Sequence, residues 1–266
     1  MTGAADIGYL DLAVASLLVL AAGLVSMFLQ LGLGRRLLLA SVRTVVQLLL
    51  VGYVLQFVFG QGSWYVVLGM AAVMIVAAAR AAIRRPSRTY RGAFRQSFFT
   101  LLITGCAVTV TVTTVVIGVD PWFEARYFIP LLGMILGNGL TGISLGLDSL
   151  LSDLVDGRHL VEAELAMGAT RWEAARPRVQ SAVRRGLIPI INSMMVVGLV
   201  SLPGMMTGQI LAGADPMEAV KYQIVVMFMI AGATSLGTIG ITLLAARRLF
   251  TTHHQLCLEC VHDQES

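Results

Sequence analysis

The residues most able to bind a metal lie at the end of the chain. His253, His254, Cys257 and Cys260 fall within a short segment, and the two cysteines have Cys-x-x-Cys spacing. Thiolate and imidazole are preferred ligands of zinc, although a structural zinc site usually has better-separated ligand pairs. The pattern therefore leaves two predictions open, a metal site and a disordered polar tail.

A second group of chemically distinctive residues interrupts a long apolar segment. Pro203 has no backbone N–H to donate, so with Gly204 it predicts a bend or break in a helix. Met205 and Met206 offer thioether ligands for a soft metal, although methionine more often fills gaps in packing. Non-helical backbone persists inside a membrane only where it is buried in protein or lines a cavity. The break is therefore a candidate gate.

The composition shows what kind of elements must position these residues. The chain has 266 residues, of which 57% are hydrophobic and 13% are charged, against about 45–50% apolar and about 25% charged in soluble domains. This balance predicts an integral membrane protein, with most of the chain in the lipid bilayer. The net charge of +4 comes from short basic patches between apolar runs, which favours membrane topology over nucleic-acid binding.

Seven segments are long enough to cross a bilayer core about 30 Å thick, which requires about 20 apolar residues in a helix. The predicted fold class is therefore all-α, a polytopic transmembrane helical bundle with seven spans. The segments are Leu12–Leu33, Leu37–Phe59, Trp64–Ile83, Ser97–Val119, Phe128–Leu147, Leu187–Leu211 and Tyr222–Ala246.

The distribution of basic residues predicts the orientation of the chain. Arginines cluster after the first, third, fifth and seventh segments, whereas the alternate loops hold only Arg126 and Lys221. Because Lys and Arg are retained on the cytoplasmic side, we expect the N-terminus outside and the C-terminus inside. The expected location is the plasma (bacterial inner) membrane, crossed several times.

Glycine and amide side chains within the segments suggest both packing and a path. The fifth segment is rich in glycine, which lets helices approach closely, and Asn138 is expected to form a hydrogen bond across helices. Polar groups inside a membrane usually face the bundle interior. The candidate residues of a translocation path or gate are Gln47, Asn138, Asn192, Pro203, Gly204, Met205 and Met206.

The longest polar stretch, 148–186, predicts two short cytoplasmic helices. Gly168 is suited to a left-handed cap at the end of the first helix, and Thr170 with Glu173 forms a T-x-x-E capping box for the second. Pro177 is expected to end or kink that second helix. Two helices joined by a glycine bend form a rigid projection that can transmit force, and a solvated interfacial hairpin is the alternative.

Several of these runs resemble known transporter sequences. Glu162-Ala163-Glu164 followed by Gly168 resembles the Glu-Ala-Ala loop of ABC permeases, although Glu164 replaces the second alanine and the later Ile-x-Leu-Pro portion is not in register. Over nearly its whole length the chain resembles the iron-export permease family of the Fet type, related to plant aluminium-tolerance permeases. The matching runs are RTVVQLLLVGYVL (43–55), GMILGNGLTG (133–142), LAMGAT (165–170), VGLVSLPGMMTGQILAGADP (197–216) and KYQI (221–224).

This resemblance implies a permease subunit of an ATP-driven ABC transporter, with iron as the exported cargo. It implies a permease domain at 1–250, with cytoplasmic coupling helices at about 149–186, and a short cytoplasmic tail at 251–266. It also implies a permease homodimer paired with separate ATPase subunits. The residues implied in ATPase coupling are Glu162, Ala163, Glu164, Leu165, Gly168, Ala169 and Thr170.

The chain has no nucleotide-binding motif of its own. A P-loop has the pattern G-x-x-x-x-G-K-[ST], in which the lysine reaches the phosphates, and the only lysine here is Lys221 in AVKYQ. We therefore expect no catalytic residue and no cofactor on this chain, with ATP and Mg bound by the partner subunit.

Three alternatives stay open at this stage. An ABC permease of this kind could carry another metal, a metal chelate or a sugar nucleotide. A gradient-driven secondary carrier is a different class, but it would be expected to have intramembrane carboxylates for ion coupling, and none lies deep in the seven segments. A signalling scaffold would be expected to carry a large extracellular domain, whereas the predicted outside loops are short.

Overall fold

A computed structural model describes residues 8–32, 34–251 and 253–264. The described chain is predominantly helical, which confirms the all-α class. A π-helical turn, Val112–Ile117, extends the fourth helix, and two short strands, β1 (Arg88–Tyr90) and β2 (Val261–Asp263), form an antiparallel pair. The helices are α1 (Tyr9–Phe28), α2 (Gly34–Gln61), α3 (Trp64–Arg84), α4 (Ala93–Thr111), α5 (Ala125–Asp156), α6 (Arg158–Ala166), α7 (Arg171–Val196), α8 (Gly204–Leu211) and α9 (Pro216–Leu249).

Six helices among the described residues are long and apolar enough to cross a membrane: α1, α2, α3, α4 with its π-helical turn, α5 and α9. They correspond to six of the seven predicted segments. The remaining segment, Leu187–Leu211, is divided between the end of α7, a non-helical stretch at 197–203, and α8. The seven-span count and the orientation of the termini stay predictions.

Helix α5 lies at the centre of the bundle and packs against α3, α4, α7 and α9. Its side chains Leu132, Ile143 and Leu150 are completely buried. By contrast, α1 and α2 form a hairpin with exposed apolar surfaces, and among the described side chains of α2 only Val58 is fully enclosed. Exposed leucine and valine on a membrane helix are suited to contact lipid.

Small residues allow α5, α7 and α9 to cross closely. A Cβ added to Gly142 of α5 would lie 2.5 Å from Thr238 Oγ1 of α9, and a Cβ on Gly186 of α7 would lie 2.7 Å from the Gly142 carbonyl oxygen. Gly146 similarly lies against Thr238 and Thr242. The predicted role of glycine in close helix packing is confirmed for Gly142 and Gly146, whereas a Cβ at Gly137 would meet no atom within 4 Å.

The described residues of the C-terminal tail, 251 and 253–264, are part of the folded structure, so the prediction of a disordered tail is wrong for them. Strand β2 pairs with β1 in the α3–α4 loop, and Arg88 donates hydrogen bonds to Asp156 at 2.9 Å and to Asp263 at 3.1 Å. Hydrogen bonds to these carboxylates raise the pKa of Arg88. Backbone pairing and the burial of Phe250 anchor the tail, which its polar sequence did not predict.

Candidate coupling elbow and translocation path

The elbow consists of α6, the turn 167–170 and the start of α7. The glycine turn and the capping box predicted for it are both present. Gly168 has φ +96°, the left-handed conformation predicted for it. The Thr170 side chain accepts a hydrogen bond from Glu173 N at 3.3 Å, and Thr170 N donates to Glu173 Oε2 at 2.8 Å. The capping box is therefore confirmed. The hydrogen bonds that the backbone N–H and the hydroxyl of Thr170 donate to Glu173 Oε2 lower the pKa of the Glu173 carboxyl.

The second helix of the elbow is long, not short as predicted. Pro177 is expected from the sequence to end or kink this helix, and the predicted end is wrong. Helix α7 continues through Pro177 and Pro189 to Val196. A proline inside a helix removes one hydrogen bond and costs about 3 kcal/mol or more. Burial of Ala174, Val179 and Ala182 against the bundle offsets that cost. The second helix of the elbow and the start of the predicted sixth span, 187–196, thus belong to one continuous helix.

An ion pair that the sequence did not reveal connects the two helices of the elbow. Arg178 Nη1 donates to both carboxylate oxygens of Glu164, at 2.9 and 2.6 Å, and also to the Ala174 carbonyl oxygen at 2.9 Å. The Arg178 side chain is only 13% exposed. Residues 14 positions apart across a glycine turn share no helical periodicity, so opposite charge was the only available signal.

The surface of α6 is divided into an anchored side and an outward side. Val161 is fully buried and Leu165 packs against the main core, whereas Leu160 and Met167 are exposed. Glu162 forms an exposed ion pair with Arg158 at 2.7 Å. The predicted coupling residues therefore lie together on one elbow, where Glu162, Ala163, Gly168 and Thr170 are exposed and Glu164, Leu165 and Ala169 are half-buried.

The predicted break near Pro203 is present. Helix α7 ends at Val196, and Pro203 is the N-cap of α8, which begins at Gly204. Between them Gly198 has φ +82° and its N–H donates to the Ser201 carbonyl oxygen at 2.9 Å. Beyond the break, Met205 packs in an apolar cluster with other methionines, and Met206 is half-buried.

The amide candidates occupy different surroundings. Asn138 is exposed and donates to the Met134 carbonyl oxygen within α5 at 2.9 Å, so the expected hydrogen bond across helices is wrong for the described chain. Asn192 of α7 is also exposed. Gly142 opposes Gly186 and Gly146 lies near Ala182. In this antiparallel register each step of four residues back along α5 corresponds to four residues forward along α7. Asn138 therefore lies at the level of Ile190, and Asn192 lies two residues, or about half a turn, beyond it.

Gln47 is not part of this group. It is exposed on α2, seven residues before Val54, where α2 begins to pack on the main core. Two glutamines that sequence reasoning missed lie in the two helices after the break, Gln209 in α8 and Gln223 in α9. Gln223 of α9 is 7% exposed, and the Oε1 atoms of Gln209 and Gln223 have no hydrogen-bond partner among the described residues. The KYQI run was the available signal for Gln223.

The structure brings two of the four predicted tail ligands together. Cys257 Sγ lies 3.9 Å from Cys260 Sγ, and this interaction raises the pKa of the Cys257 thiol. The ring nitrogen His254 Nδ1 instead accepts a hydrogen bond from Arg171 N at 2.9 Å. No group of three or more His, Cys, Asp or Glu residues suited to a metal occurs in the described ranges. The tail metal site stays a prediction.

The fold and the elbow define a class: this is a multi-pass membrane protein built as a helical bundle with a helical projection at one end. The chain belongs to the family described as "Uncharacterised protein family (UPF0014)", whose profile matches residues 9–250. The family resemblance found in the sequence is thereby confirmed. No solved structure matches the chain.

Curated relatives extend over most of the chain. A UPF0014 membrane protein of Synechocystis is 39% identical over 229 residues, covering 85% of this chain and 87% of the relative. The Escherichia coli protein named "Probable iron export permease protein FetB" is 36% identical over 246 residues, covering 92% and 93%. The Arabidopsis thaliana "Protein ALUMINUM SENSITIVE 3" is 36% identical over 250 residues, covering 94% and 90%.

Proposed function

We propose that this chain is the membrane-spanning permease subunit of an ATP-driven ABC transporter that exports iron. The observation that carries the proposal is the continuity of α7 from the elbow to the break. At 1.5 Å per residue a helix of 26 residues is about 39 Å long. A displacement applied at Thr170 would therefore reach the stretch at 197–203 through one continuous helix.

The close crossing at Gly186 provides a pivot for this element. Gly186 lies between the elbow and the break, and it contacts Gly142 and Thr238. Because helices in contact at glycine approach backbone to backbone, this crossing holds the middle of α7 close to α5 and α9. ATP-driven movement of the elbow would rock α7 and change the geometry of the break.

We propose seven spans, with the N-terminus outside and the C-terminus inside the plasma (bacterial inner) membrane. The arginine-rich α3–α4 loop, the elbow and the tail meet at one end of the bundle, through contacts such as Arg88–Asp156 and His254–Arg171. This meeting supports a single cytoplasmic end. In this arrangement α7 and α8 together form the sixth, interrupted span.

The energy source in this proposal is a separate ATPase subunit that binds ATP and Mg. The chain lacks the lysine pattern of a P-loop. The exposed Leu160 of α6 and Met167 of the following turn offer an apolar patch on which such a subunit could dock. A permease homodimer would bring the exposed Asn138 and Asn192 of each copy away from lipid, where an amide would be costly.

The proposed cargo is iron, and its support is the printed name of the Escherichia coli relative. Amide and hydroxyl oxygens suit hard cations, and Asn138, Thr141 and Asn192 supply such groups without a fixed charge. Another metal is the second candidate, since a plant relative is named for sensitivity to aluminium. A gradient-driven carrier is disfavoured because every carboxylate of the sequence, including Asp148 and Glu218, lies outside the seven predicted segments.

Reconstitution tests this function. The purified chain in lipid vesicles, with and without its ATPase subunit, should show hydrolysis and iron transport only when both subunits and ATP are present. Parallel measurements with manganese, zinc and aluminium identify the cargo. Hydrolysis by the chain alone, or iron movement driven by an ion gradient without ATP, would contradict the proposal.

A further inference from the structure

A cavity outside the proposed path lies where the start of α7 meets the end of α9. Its volume is about 420 Å³, within the range of about 300–1,000 Å³ common for small-molecule sites. It lies beside the elbow but involves none of the residues assigned to coupling. The lining residues are Arg171, Trp172, Ala175, Leu243, Ala246, Arg247 and Phe250.

The charge of this cavity is positive and unbalanced. Arg171 and Arg247 are both exposed, and neither takes part in an ion pair within the described ranges. Among the described residues, no acidic side chain lines the cavity. Guanidinium groups bind carboxylate and phosphate through paired N–H donors. The cavity is therefore suited to an anion held between two arginines.

The remaining walls are apolar and lead towards the bilayer. Trp172 is 49% exposed at the cavity, and tryptophan is typical of the level of lipid headgroups. Leu243 lies one turn and two turns along α9 from Ile239 and Leu236, which are both exposed. An apolar track thus continues from the arginines along α9. A small soluble anion would not contact this apolar track, whereas an acyl chain would cover it.

We propose that this cavity binds an anionic phospholipid, with the phosphate between Arg171 and Arg247 and one acyl chain along Leu243, Ile239 and Leu236. Basic pockets between membrane helices on the cytoplasmic side suit such headgroups. The bound lipid joins the end of α9 to the first turn of α7. It thereby fixes the position from which α7 extends, next to the Arg171 N–H that donates to His254.

Binding can be measured without transport. The purified full chain is mixed in detergent with phosphatidylglycerol, with phosphatidylcholine, or with inorganic phosphate, and retained molecules are counted by native mass spectrometry. The double variant Arg171→Gln/Arg247→Gln removes both guanidinium groups. The matched control, Arg176→Gln/Arg184→Gln, removes two exposed arginines of α7 that do not line the cavity. Leu243→Trp fills the cavity while keeping its charge.

Phosphatidylglycerol should be retained in preference to phosphatidylcholine, and the double variant should bind it roughly tenfold or more weakly. The control should bind as the wild type does, and Leu243→Trp should also lose the lipid. Equal retention by the double variant and the control would overturn the site. Binding of inorganic phosphate as strong as that of phosphatidylglycerol would also overturn it, because this marks a soluble-anion site. So would a double variant that regains a retained mass only when the ATPase subunit is added, because this marks a protein contact. Failure of iron transport leaves this measurement unaffected.

Discussion

Arg178 of α7 holds Glu164 of α6 through two hydrogen bonds from one nitrogen, at 2.9 and 2.6 Å. The pair lies across the Gly168 turn, so it determines the angle at which α6 projects from α7. A hydrogen bond involving a charged group contributes about 1.5–3 kcal/mol in a protected site, and the exposure of Glu164 reduces this to about 1 kcal/mol. The elbow is therefore held by a side-chain contact as well as by its turn.

Glu164→Gln should loosen the elbow while the bundle still inserts. We expect unchanged membrane abundance, reduced co-purification of the ATPase subunit and hydrolysis less dependent on cargo. The matched control is Glu218→Gln, which removes a carboxylate from the exposed Lys221 pair at the other end of the bundle. Equal behaviour of the two variants in all three measurements would show that the Arg178 pair has no part in coupling.

Gly168→Val should disturb the same elbow through the backbone. A β-branched residue at φ +96° costs about 1 kcal/mol or more and moves the chain out of the left-handed region. Gly168→Asn is the matched control because asparagine tolerates that region. Membrane abundance should be unchanged in both variants. ATPase co-purification and cargo-dependent hydrolysis should fall in the order wild type, Asn, Val. A valine variant that couples normally would make the elbow an ordinary interfacial hairpin.

Gly186→Ala should destabilise the bundle. Its new methyl group would lie 2.6 Å from Thr238 Cγ2 and 2.7 Å from the Gly142 carbonyl oxygen, and such overpacking costs about 1–3 kcal/mol. Gly232→Ala is the control, because a Cβ there meets no atom within 4 Å. Thermal unfolding in detergent should show a lower midpoint for Gly186→Ala and no loss for Gly232→Ala. Equal midpoints would mean that α5, α7 and α9 do not cross this closely.

Pro203→Ala should restore a backbone N–H at the end of the break and favour extension of α8 towards α7. We expect normal insertion and slower iron transport in reconstituted vesicles. Hydrogen exchange over 197–204 would report the added helix directly. Transport at the wild-type rate, with exchange slowed over this stretch, would assign the break to packing rather than gating.

The orientation predicts which loops reach an impermeant thiol reagent. After the three native cysteines are replaced by serine, a cysteine introduced at Gln61 or Ala214 should be labelled on intact cells, whereas one at Ser87 should be labelled only after the membrane is opened. Gln61 is the last residue of α2, Ala214 lies in the loop between α8 and α9, and Ser87 lies beside β1. Labelling of the Ser87 position from outside would reverse the proposed topology.

Features with local causes were predictable from the sequence. The apolar segments, the Thr170 capping box, the left-handed Gly168 and the break at Pro203 each depend on a few neighbouring residues. The N-cap of α9 has an equally local cause, because Met217 N and Glu218 N donate hydrogen bonds to the Asp215 carboxylate two and three residues earlier. These signals are energetic preferences of short stretches, so they survive without knowledge of the rest of the chain.

Tertiary structure decided the features in which distant residues compete or cooperate. Burial of Ala174 and Val179 lets α7 continue past Pro177, although proline locally predicts an end. Pairing with β1 orders a tail whose composition predicts disorder, and the Glu164–Arg178 pair and the Arg171–Arg247 cavity join residues far apart in sequence. In each case packing and pairing outweigh a local preference of a few kcal/mol. Which surfaces come into contact is determined by the tertiary structure and cannot be derived from the local sequence.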